Sequence, residues 1–187
     1  MILMNKFSIM SSALAVLVIV PLAGSASAAE LAAQGQPQVA KELADFKRTA
    51  SKMREQADIL NSFTPSKQMS WQSHTARLHA LKDHVNEMGQ SLAELEAMKA
   101  MANPTQALAI EHARPHLESV ARNLTEAIEL VNENRRNVHW SDYGEAVSDV
   151  YSHAHALHTK LDAILGYEKA QVRMESLELR TSLAGQS

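Results

Sequence analysis

Apolar side chains recur at alternating spacings of three and four residues in four separate stretches, and no other feature of the chain limits its fold as strongly. The first series is Val39, Leu43, Phe46, Ala50, Met53, Ala57, Leu60. The second is Trp71, His74, Leu78, Leu81, Val85, Met88, Leu92, Leu95. The third is Ile110, Ala113, Leu117, Val120, Leu124, Ala127, Val131. The fourth is Trp140, Tyr143, Val147, Val150, Ala154, Leu157, Leu161, Ile164. Each series spans three to four heptads, which lays one apolar stripe along one helix. No alternating β-branched run follows residue 28, so the chain offers no strand. The expected class is all-α.

The punctuation between the series agrees. Pro37 precedes the first, and Thr64-Pro65-Ser66 separates it from the second. Asn103-Pro104-Thr105-Gln106 supplies an N-cap, a proline at the first helical position and a glutamine at the third. Asn132 to Asn137 form the third connection, and Asp142 and Glu145 have the spacing of a capping box. Short connections force neighbouring helices antiparallel, so an up-down-up-down four-helix bundle is expected over residues 38–165. Pro115, inside the third helix, is expected to kink or split it. Residues 29–37 read as a linker. Beyond Gly166 the apolar period fades, so 166–187 reads as a C-terminal helical extension or tail.

The first 28 residues are different in kind. Met1–Lys6 carries one positive charge, Phe7–Leu22 is mostly apolar, and Ala26-Ser27-Ala28 places small residues where a signal peptidase reads them. This is the pattern of a cleavable signal peptide, residues 1–28, cut after Ala28. The apolar run is marginal for a permanent membrane span, and without a cysteine behind it no lipoprotein is formed. The expected location is periplasmic or secreted, with no membrane attachment after cleavage.

Composition narrows the chemistry. The absence of cysteine excludes disulfides, thiolate zinc sites, iron–sulfur clusters, cysteine nucleophiles and covalently attached haem. Without Lys6 the chain holds 17 basic against 21 acidic residues, a balance that argues against nucleic acid as partner. Glu-x-x-His, His-Glu-x-x-His, Gly-x-Ser-x-Gly, phosphate-cradling glycine loops and EF-hand loops are all missing.

Two clusters stand out when the helices are set antiparallel. Where the second and fourth helices begin, Trp71 comes level with Trp140 and His74 with Tyr143, with Met53 and Phe63 nearby on the first. These residues make an aromatic plug tied by a His74–Tyr143 hydrogen bond, or else a pocket for a flat apolar ligand. The latter includes haem b held between Met53 and His74. The second cluster draws on the nine histidines. His84, His116, His153 and His158 flank the helix seams, and loop midpoints put His116 level with His158. Imidazoles from adjacent helices suit zinc, copper or nickel. Histidines facing water on a bundle surface are the commoner arrangement.

These features support a non-enzymatic exported bundle of the binding, accessory or stress type, its protein partner unknown or none. The alternative is a small metal- or haem-binding carrier using the bundle histidines. The two are told apart by whether those histidines converge in space.

Overall fold

A computed structural model describes residues 28–65, 70–133, 135 and 141–184, with side chains for all of these except 28–34 and 141. The signal peptide expected over residues 1–28 lies almost wholly outside the described residues, as do His139 and Trp140. Four helices account for nearly all that is described: α1 (Ala28–Phe63), α2 (Trp71–Ala97), α3 (Pro104–Glu133) and α4 (Ser141–Ala184). A 3-10 turn, Lys99–Met101, lies between α2 and α3. Among the described residues there is no strand.

The heptads explain the packing. All seven residues of the first series are buried, and so are all seven of the third. In α2, His74, Leu78, Leu81, Val85, Met88, Leu92 and Leu95 are buried. Tyr143 through Leu161 do the same in α4, where Leu165 takes the inward place expected of Ile164. Each buried leucine or valine contributes about 1.5–3 kcal/mol, so this shared core, rather than helix propensity, holds the elements in place. Contacts run α1–α2, α2–α3, α3–α4 and α4–α1.

Local signals set the ends. Ser70 caps α2 by accepting from the Ser73 amide. At the start of α3 the Gln106 amide donates to Asn103 Oδ1 at 2.8 Å, while the Asn103 amide donates to Gln106 Oε1 at 3.2 Å. That reciprocal pair is the capping box written in the sequence.

One expectation is corrected, and one of the two alternatives for Pro115 is removed. The stretch 29–37, read as a linker, is the first part of α1. Gly35 is the reason it lies so close to the rest of the fold: a Cβ there would sit 2.6 Å from Met101 Cβ. Pro115 does not split α3, which runs unbroken from Pro104 to Glu133. Its ring is exposed while Ile110, Ala113, Leu117 and Val120 are buried around it. The carbonyl it leaves without a donor, that of exposed Glu111, lies on the wetted face where water can satisfy it.

Candidate functional site

His74 and Tyr143 meet in the core. His74 is fully buried, Tyr143 is 2% exposed, and the hydroxyl lies 2.9 Å from His74 Nδ1. The rings meet edge to face with centroids 5.4 Å apart. Burial raises the Tyr143 phenol, which therefore stays neutral. Trp71, half-buried, lies under the Arg135 guanidinium at 4.7 Å. Phe63 is turned outward beneath Arg77, not into the plug.

The register of α1 against α2 sets Met53 apart from His74. Gln56 bonds Arg77 and Thr49 bonds Glu87, so Met53 on α1 falls level with the turn around Leu81. That is two turns, roughly 10 Å, along α2 from His74. Met53 and His74 are each fully buried. Of the proposed ligand-lining set, His74 and Tyr143 come together, Met53 does not join them, and Trp140 is outside the described residues.

The four histidines also separate. His84 lies beside Glu87 on the α1–α2 seam, with Nδ1 3.8 Å from the carboxylate. His158 is on the α1–α4 seam near Arg54, Lys47 and Asp162. Only His116 and His153 adjoin, across α3–α4, with ring centroids 6.2 Å apart. His116 therefore pairs with His153 rather than with His158, because α4 is shifted by more than a turn from the level that loop midpoints assign. Among the described residues no group of three or more histidines, aspartates and glutamates is placed to hold a metal ion. Burial lowers the imidazoles of both His116 and His158. Lys160, His153 and His112 reinforce this at His116, and Arg54 leads the reinforcing charges at His158, with Asp162 opposing.

The stretch from Gly166 onward, expected as a helical extension or a tail, is helical as far as Ala184. Glu168 is where the helix last grips the bundle: its Oε1 accepts from Asn103 Nδ2 at 2.6 Å and from Gln106 Nε2 at 3.0 Å, closing over the α3 cap. Beyond it, residues 169–184 remain helical and exposed throughout. Tyr167, Val172, Met174, Leu177, Leu179 and Leu183 are 52–68% exposed. Leu165, Val172, Leu179 and Leu183 continue the bundle-facing stripe, and the first two line a groove of about 540 Å³ between α1 and α4 together with Ala40, Ala44, Lys169 and Arg173. Tyr167, Ala170, Met174, Leu177, Thr181 and Ala184 form a second stripe on the opposite side. The signal was present in the sequence, but following one stripe only makes it look like a period that fades.

Among the described residues no helix is long and apolar enough to cross a membrane. Compared with known proteins, the chain matches no family model, no curated protein and no solved structure.

Proposed function

We propose that the chain is exported through a signal peptide cleaved after Ala28, to the periplasm or the medium. There it forms an up-down-up-down bundle and acts as a non-enzymatic binding, accessory or stress-type protein, with the α4 extension as its docking element. The observation that carries this reading is the run of six large apolar side chains exposed on one helix beyond the core. Single exposed leucines are ordinary on any surface; Tyr167, Met174 and Leu177, aligned on the outward face of a helix that the bundle does not need, are read as a contact surface.

A photo-crosslinking residue at Leu177 of the exported chain tests this, with exposed Glu126 on α3 as the control position. Adducts are expected at 177 and not at 126. If position 177 yields only the free chain, the docking role is wrong. The N-terminus of the exported chain is expected to be Ala29; a chain retained in the cytoplasm with Met1 contradicts export.

One observation favours the carrier reading, the adjacent imidazoles of His116 and His153. Two imidazoles leave a tetrahedral zinc site half made, so the remaining ligands would come from elsewhere. Elemental analysis and an absorption spectrum of chain purified without chelator decide it. Stoichiometric zinc, copper or nickel that disappears in His116→Gln and His153→Gln supports a carrier, and metal-free, colourless protein that fails to bind added metal removes it.

A further inference from the structure

We infer that the outward stripe of the α4 extension is the seam of a parallel, in-register coiled coil with a second copy of this chain. The inference rests on reading the extension as the docking element and names its partner.

The spacing of the stripe is strict. Tyr167, Ala170, Met174, Leu177, Thr181 and Ala184 follow one another at three, four, three, four and three residues. They therefore occupy successive a and d positions of a heptad. At 100° per residue, Met174 points directly away from Leu165, the last residue of α4 buried in the bundle. The bundle's own helices lie on the Leu165 side, so a helix laid along this stripe belongs to another molecule. Two copies joined here carry their bundles on the outside, where they do not collide.

The flanking charges choose partner and direction. On one flank stand Arg173 and Arg180, and on the other Gln171 and Glu178. In a parallel pair, the residue just before an a position faces the partner residue five further on. Arg173 of each copy then meets Glu178 of the other, twice by symmetry. In an antiparallel pair the arginine flank meets itself and like charges oppose. Lys160, one heptad before Tyr167, would place two ammonium groups at the seam, so the contact ends before it. The seam is short for an isolated coiled coil, but α4 is already folded up to Leu165, so the costly helix nucleus is in place.

Sedimentation equilibrium of the purified chain over a concentration series is the test. The weight-average mass is expected to rise from one copy toward two. Met174→Lys and Leu177→Lys, both at exposed positions, are expected to hold the mass at one copy with unchanged helical content. Arg173→Glu and Glu178→Arg are each expected to weaken association about tenfold, while the double exchange restores it. Strengthening by Arg173→Glu alone overturns the parallel arrangement. A chain that stays monomeric while position 177 crosslinks to a different protein overturns the second copy as partner but leaves the docking reading intact. A monomer without any adduct overturns both.

Discussion

The two halves of α4 show what decides burial in this molecule. From Tyr143 to Leu165 the helix turns one stripe inward, and that stripe is covered by its neighbours. From Lys169 to Ala184 the same helix, with comparable apolar content, is exposed at every residue. The boundary is Glu168, whose carboxylate grips the α3 cap. Helix formation is thus common to both halves, and stability belongs to the first. The second is a helix that continues from the bundle with every side chain beyond Glu168 exposed.

The largest effect that could break this contrast is at its buried end. His74→Ala leaves a cavity and strands the Tyr143 hydroxyl, and is expected to cost about 3–4 kcal/mol. Leu177→Ala is expected to change stability by less than about 0.5 kcal/mol. Urea unfolding of the two variants compares them directly, and similar costs would erase the distinction. Glycines give the next test. Gly35→Ala drives a Cβ against Met101 and is expected to lose about 1–3 kcal/mol. Gly166→Ala meets open space and is expected to gain about 0.5–1 kcal/mol by favouring the helix at the junction. Thermal unfolding of both variants shows whether the signs differ.

The clasp itself comes third. Glu168→Ala removes the acceptor for Asn103 and for the buried Gln106 side chain, an expected loss of about 1–2 kcal/mol. Faster amide exchange in the first turn of α3 locates it. The smallest effect is that of pH. Burial lowers His116 and His158 below their ordinary 6.5, so on acidification the unfolded chain takes up these protons first. Stability is therefore full above that value and declines as pH falls below it. The urea midpoint is expected to drop on acidification, and to drop less in the double variant His116→Gln/His158→Gln. A midpoint that rises on acidification contradicts the assignment.

What was legible in the sequence was local. The four stripes follow from spacing alone, the Asn103–Gln106 box from residue types three apart, and the His74–Tyr143 bond from two polar groups on core positions at the same end. What was not legible depended on how helices slide past one another. Loop midpoints place Met53 beside His74 and His116 beside His158; the packed helices shift each pair by more than a turn. Side chains interlock in discrete ridges and grooves, and a loop's length does not say which groove is taken. Pro115 looked like a break because its cost is local, while the burial that outweighs it comes from three other helices. Gly35 carried no visible signal at all, since the need for a missing Cβ is set by Met101, far away in the chain.

Amide hydrogen exchange followed residue by residue along α4 tests the division most directly. Opening free energy reports how much of the fold must unfold to expose each amide. The account predicts that residues 147–165 exchange only through global unfolding, while 170–184 exchange faster in dilute solution and gain protection as chain concentration rises. Equal protection of both halves at every concentration would mean that the extension is packed on its own bundle, and would contradict the account.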